Sequence, residues 1–187
     1  MAMLTQVYNR AYDVYDPEIP GAKSHTNLTG INTNLNYLLD TQGVDPSKIV
    51  LGVAFYGNTF TLSSKTCLAP TCNTSAKGKP GPCSVDSGTL MISEIDKYIS
   101  DKKLTPKLYR DAANKVATFD DDQWVAYDDA DTFKLRSEYA QTKCLGGLMS
   151  YAITKDTANA KYSKALGVAA GRSSRVRFAR RGNRVRG

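Results

Sequence analysis

The stretch GVDPSKIVLGVAFYGNTF, residues 43–60, decides how the rest of the chain is read. Gly43 is a stop signal for a preceding helix, and Asp45-Pro46-Ser47 makes a turn. Ile49 to Phe55 then runs apolar without alternation over the length of a strand. A strand apolar on both faces suits a parallel sheet with helices outside it. Upstream, Asn32 to Gln42 reads as a helix, because Leu35, Leu38 and Leu39 fall at i, i+3 and i+4. Before it lie a polar loop, Asp13 to Thr29, and a short strand over 4–12. Strand, loop, helix, turn and buried strand together make a βαβ crossover.

Downstream the character changes. Residues 57–122 hold three clustered cysteines and then a helical pattern, with Met91, Ile95, Tyr98 and Ile99 on one face. This reads as an insertion with its own small structure. Alternation resumes at Gln123 to Tyr127, a short strand. Asp131 can cap a helix running to about Lys143, with Phe133 and Leu135 near its start and Tyr139 and Ala140 further on. Gly146-Gly147 breaks that helix, Leu148 to Ile153 is another apolar strand, and Ala158 to Val168 is a last short helix. From Ala169 the apolar periodicity ends, and the segment is expected to be disordered.

The chain has 187 residues, enough for one ordinary domain. No apolar run approaches the roughly 20 residues of a transmembrane helix, so no membrane partner is expected. The net charge of +7 is a property of the tail, where Arg172, Arg175, Arg177, Arg180, Arg181, Arg184 and Arg186 occur without an acid. Without those seven, 18 basic residues face 18 acidic ones, so the high isoelectric point is no argument for nucleic-acid binding by the body. The tail is read as a solvated extension rather than a nucleic-acid or anionic-membrane contact, which is the competing reading.

Of the four cysteines, Cys67, Cys72 and Cys83 are disulfide candidates, and Cys144 reads as a free buried thiol. Their spacing and the distance in sequence of the single His25 argue against zinc. Four cysteines allow three pairings, and the sequence does not choose. No metal or cofactor is expected. Asn27-Leu28-Thr29 and Asn73-Thr74-Ser75 fit the glycosylation acceptor pattern. No signal peptide opens the chain, which suggests that something N-terminal is missing.

Five short motifs occur in a fixed order. RAYD at 10–13 resembles the Met-x-Tyr-Asp motif of the family 18 chitinases. GVDPSKIVLGVAFYGNTF is similar to their GVPxxKIVLGxPxYGRxF segment. The cysteine-bearing stretch 67–95 looks like the insertion of a fungal branch, QWVAYDD at 123–129 like xWVGYDD, and KCLGGLMSYAI at 143–153 like the last barrel strand. The resemblance implies an α/β fold: a partial TIM (β/α)8 barrel of about the last three strands, with an α+β insertion. It divides the chain into a barrel part at 1–57 (strands six and seven), an insertion at 58–122, a barrel part at 123–168 (strand eight and the final helix) and the tail at 169–187.

The family hydrolyses β-1,4-linked N-acetylglucosamine in chitin, outside the cell, using the substrate's own acetamido group as nucleophile. A Glu in an Asp-x-x-Asp-x-Asp-x-Glu motif is the general acid. That motif does not occur here, so no catalytic residue is assigned and the chain is expected to be a fragment of such an enzyme, inactive alone, with a catalytically silent chitooligosaccharide-binding protein as the alternative. The resemblance implies chitin or chitooligosaccharides as partners and Tyr12, Asp13, Tyr151 and Asn58 as substrate-side positions. Tyr12 and Asp13 match the pair that contacts the acetamido group. Tyr151 stands where the family has a tryptophan under the sugar. Asn58 replaces an Arg, and Arg10 a Met. Trp124 and Tyr56 are read as packing residues. An open three-stranded sheet exposes an edge, so an oligomer or a missing N-terminal half is a further expected partner.

Overall fold

The computed structural model describes residues 7–14 and 21–171. Strand β1 (Val7–Asn9) leads through the loop to helix α1 (Leu28–Asn36), which continues as a π-helical turn over Tyr37–Thr41. The helix begins earlier than the leucine spacing suggests, because the Asn27 side chain caps it by accepting from the Thr29 N–H at 3.1 Å. A 3₁₀ turn at Pro46–Lys48, capped by Asp45, delivers β2 (Ile49–Ala54), and all six of its residues are buried. Next come β3 (Tyr56–Leu62), β4 (Thr74–Lys77), β5 (Thr89–Met91), α2 (Ile92–Asp101), β6 (Lys107–Tyr109), β7 (Asn114–Phe119) and β8 (Gln123–Tyr127). Helix α3 (Ala130–Thr142), β9 (Gly147–Tyr151) and α4 (Lys161–Ala169) complete the described chain.

Two sheets result. The first is parallel, in the order β1-β2-β9, with Tyr8 beside Val50, Val50 beside Gly147 and Ala54 beside Tyr151. Leu51 packs with Ile31 of α1 and Ala140 of α3, which places the helices on one face as a barrel wall requires. The second sheet is antiparallel, in the order β4-β3-β8-β7-β6, with β5 also on β3.

Several boundaries differ from the sequence reading. Residues 123–127 were expected with the barrel part, but β8 is a central strand of the second sheet, paired with β3 and β7. A buried apolar strand reads alike whichever sheet receives it, and pairing is a long-range choice. The helix cap is Asp129 rather than Asp131, since Asp129 accepts from the Asp131 and Thr132 N–H groups. Asp131 instead pairs with Lys115. The last helix runs to Ala169, so the expected tail starts later, and residues 172–187 lie outside those described.

The cysteines also sort themselves. Cys67 and Cys72 form a disulfide across a Cα separation of 5.7 Å. Cys83 is a free thiol, contrary to its candidacy, because its turn is tied to α2 by the Cys83 N–H donating to Glu94 Oε1. Cys144 is free as expected but exposed rather than buried.

One core spans both sheets. Val53 and Phe55 meet Leu90, Ile92, Ile95, Val125 and Tyr127 of the second sheet and α2, and Phe133, Tyr162 and Leu166 of α3 and α4. Only Phe55 separates β2 from β3. Its N–H donates to Tyr151 O at 2.8 Å, and its carbonyl accepts from the Ile92 N–H at 3.0 Å. The two sheets are therefore joined by backbone as well as by packing.

Candidate functional site

At the C-terminal ends of β1, β2 and β9, three tyrosines converge. Tyr12 and Tyr151 stack, with centroids 5.5 Å apart and planes 14° from parallel. Tyr56 meets both edge-on, at 6.2 and 6.5 Å. Gly52 makes room for this: a Cβ there would lie 2.8 Å from Tyr12 Cε1. Ala54 and Met149 pack behind the rings. Tyr12 and Tyr56 are buried, whereas Tyr151 is 51% exposed. The apolar wall thus has one open aromatic, which suits stacking on a sugar ring.

Asp13 sits at the margin of this wall in the left-handed backbone region, φ 56°. The Tyr56 hydroxyl donates to its Oδ1 at 2.6 Å, and Arg10 donates to its Oδ2 at 2.9 Å. His25 Nδ1 lies 3.2 Å from Oδ1 and 3.3 Å from the Asp13 N–H. In a neutral ring Nδ1 accepts from that N–H; in a protonated ring it donates to the carboxylate. Nε2 faces the Tyr56 carbonyl at 3.3 Å and can only donate there. The His25 contact is the largest cause that holds the Asp13 carboxyl down at about 2; burial opposes it, and Tyr56 and Arg10 add to it. Burial raises the Tyr12 phenol, so it stays protonated as a donor.

This depression has a sign. A carboxyl lowered by folding stabilises the fold above its unfolded value near 3.8, and the gain is lost as pH falls toward about 2. The Asp13 side chain is 36% exposed, so screening reduces its contribution to about 1 kcal/mol. Asp13→Asn is therefore expected to lose less stability than the parent chain between pH 5 and pH 2.5. Urea denaturation at both pH values checks this, and equal losses would contradict it.

Of the four expected substrate-side residues, Tyr12, Asp13 and Tyr151 come together. Asn58 stands two residues beyond Tyr56 on β3. It is 4% exposed, in the interior of the second sheet between Thr89 and Ala126. Trp124 is fully buried against Phe60.

Sequence reasoning gave His25 and Arg136 no role. Both are fully buried. Arg136 donates to Asp128 Oδ1 at 3.1 Å, to Ala113 O at 3.0 Å and to Thr26 O. It thereby holds the residue next to His25. A lone histidine 12 positions from Asp13 leaves no local signal, and an arginine on a helix is ordinarily read as solvated.

Neither described glutamate belongs to this wall. Glu94 accepts from the Cys83, Ser84 and Met91 N–H groups, and these bonds outweigh burial and lower its carboxyl. Glu138 is on α3, paired at 4.0 Å with Lys134. Among the described residues no group of three or more His, Cys, Asp or Glu could hold a metal, and no helix is long and apolar enough to cross a membrane.

Comparison with known proteins bears on this arrangement. The profile of the family described as "Glycosyl hydrolases family 18" matches residues 5–156. Chitotriosidase-1 of Mus musculus is 33% identical over 116 residues, covering 62% of this chain and 24% of the relative. The chain therefore spans about a quarter of that relative. A class V chitinase from Nicotiana tobaccum, solved in complex with NAG4, superposes with a TM-score of 0.76 at 23% identity, covering 89% of this chain and 49% of that one. Human YKL-39, described as a pseudo-chitinase with retained chitooligosaccharide binding properties, superposes with a TM-score of 0.74 at 21% identity, covering 90% of this chain and 50% of that one. These likenesses establish the fold as a partial (β/α)8 barrel.

Proposed function

The chain belongs to family 18 of the glycosyl hydrolases, and from that premise we propose that it binds chitooligosaccharides through Tyr12, Asp13 and Tyr151 without cleaving them. The single observation that carries this is the wall itself: an open Tyr151 ring beside a donor phenol and a carboxylate held ionised at about 2. Tyr151 would stack on a pyranose face. The Tyr12 hydroxyl would donate to the acetamido carbonyl, and Asp13 would accept from the acetamido N–H.

The absence of hydrolysis is supported by chemistry. Protonation of a leaving glycosidic oxygen needs a carboxylic acid that still carries its proton near neutral pH. Asp13 is held in the opposite state, and Glu94 is tied to backbone N–H groups. The sequence contains no Asp-x-x-Asp-x-Asp-x-Glu motif. General acid assistance contributes about 10²–10⁴ in rate, so its loss alone would reduce turnover by that factor.

The test has two arms. Purified chain is expected to be retained on chitin beads, with retention lost in Tyr151→Ala and weakened in Tyr12→Ala. It is also expected to release no fluorophore from a labelled chitooligosaccharide. Unchanged retention by both variants would refute the binding role, and turnover that copurifies with the chain would refute the silence. An extracellular setting is supported by the Cys67–Cys72 disulfide. The expected oligomer or additional barrel half rests on the outer edges of β1 and β9, which have no strand partner among the described residues.

A further inference from the structure

We propose that the tyrosine wall selects by charge, taking a saccharide that carries carboxylates in preference to a neutral one and disfavouring a fully deacetylated, cationic one. This rests on the reading of the wall as a saccharide site and names the class of sugar that it favours.

Two cations lie against the rings. Lys155, in the 3₁₀ turn after β9, holds its Nζ 4.3 Å from the centroid of Tyr56. Arg10 holds its guanidinium carbon 5.1 Å from the centroid of Tyr12. Each position is a good one for a cation over an aromatic face. Among the described residues one carboxylate answers them. Asp13 pairs with Arg10 at 2.9 Å, which largely cancels that charge. The acid next to Lys155 in sequence, Asp156, accepts instead from the Thr157 N–H and from the Tyr162 and Ser163 N–H groups at the start of α4. Among the described residues no carboxylate lies within ion-pairing distance of the Lys155 ammonium. Among the described residues the wall therefore carries one positive charge with no carboxylate partner, over the Tyr56 ring, which in turn meets the Tyr151 ring edge-on at 6.5 Å.

An ammonium so placed has no partner to lose when a ligand carboxylate approaches, so the approach carries no cost of breaking an ion pair. Two unit charges about 4 Å apart in water attract by about 1 kcal/mol, a factor of about five in affinity. A glucosamine ammonium at the same place is repelled by a similar factor. Both effects shrink with salt, because the site is open to solvent.

The test uses the full chain and three tetramers of one length: the fully acetylated chitotetraose, its derivative oxidised to carboxylates at C6, and the fully deacetylated tetramer. Calorimetric titration at low salt is expected to rank them in affinity as carboxylated, neutral, deacetylated, with about fivefold between neighbours. The spread is expected to narrow at 0.5 M salt. Lys155→Gln is expected to bring the ratio of carboxylated to neutral affinity toward one. Lys164→Gln removes the same charge from α4, where Lys164 donates to Asn159 O, and is expected to leave that ratio unchanged. Neutral binding with no charge ranking would overturn the proposal and leave the saccharide reading standing. An equal loss of ratio in both lysine variants would overturn it in favour of net charge. Failure of all three tetramers to bind would refute the saccharide reading and this proposal with it.

Discussion

Arg136→Ala is expected to destabilise the fold by about 3–5 kcal/mol, the cost of leaving one partner of a buried ion pair alone. Arg136 and Asp128 are both fully buried. Burial pushes the Asp128 carboxyl up, and the Arg136 guanidinium is the largest of the causes that pull it back down. Removing the arginine leaves that carboxyl without its counter-charge and two carbonyls, Thr26 O and Ala113 O, without their donor. Three segments meet at this side chain: the loop that carries His25, the turn before β7, and the start of α3. Their docking is expected to loosen together.

A pH signature separates this from simple loss of packing. An acid whose folded value lies above its unfolded one stabilises the fold at low pH and loses that stabilisation as pH rises. Asp128 is already raised in the parent chain, and Arg136→Ala removes the largest cause that pulls it down and so raises it further. The deficit relative to the parent chain is therefore expected to be smaller at pH 4.5 than at pH 7. Urea denaturation at both values measures it. A deficit below about 1 kcal/mol at pH 7, within the range of an exposed pair, would mean that the pair is not buried as described.

Phe55→Ala is expected to cost about 3–5 kcal/mol as well, through a different cause. The ring is fully buried, 5.8 Å from Phe133 and 6.4 Å from Tyr162. Truncation opens a cavity where β2 passes into β3, and the backbone on either side is pinned by hydrogen bonds to Tyr151 and Ile92. The site cannot collapse freely to fill that cavity, so the cost is expected near the upper end. Phe55→Leu keeps most of the volume and is expected to cost about 1.5 kcal/mol or less. Thermal or urea melts of the two variants check the difference, and equal costs would contradict the cavity argument.

Elements with a strong local pattern were legible. The unbroken apolar run at Ile49–Phe55 announced a strand buried on both faces, and the structure makes it the middle strand of a parallel sheet. The face shared by Met91, Ile95, Tyr98 and Ile99 announced α2. Helix α3 was harder, because its buried stripe includes Arg136 along with Phe133, Ser137 and Ala140. A charged residue inside such a stripe breaks the apolar period even though it is paired in the core. The acid run from Asp128 to Asp131 was ambiguous for the same reason: three carboxylates take three roles, core partner, cap and surface bridge, and one-dimensional spacing ranks none of them.

Chain order alone carried the ancestry, the strand-helix alternation, and the placing of Tyr12, Asp13 and Tyr151 in motifs at strand ends. Those readings depend on neighbours a few positions apart, whose side chains share a face whatever the rest of the molecule does. Folding in three dimensions was needed to send β8 to the second sheet, to join Cys67 to Cys72 and not Cys83, to bury Asn58, and to bring His25 and Lys155 to the tyrosines. Each of these pairs groups distant in sequence or chooses among local equals. Such choices are made by packing and charge compensation in the assembled core, which no short window of residues contains.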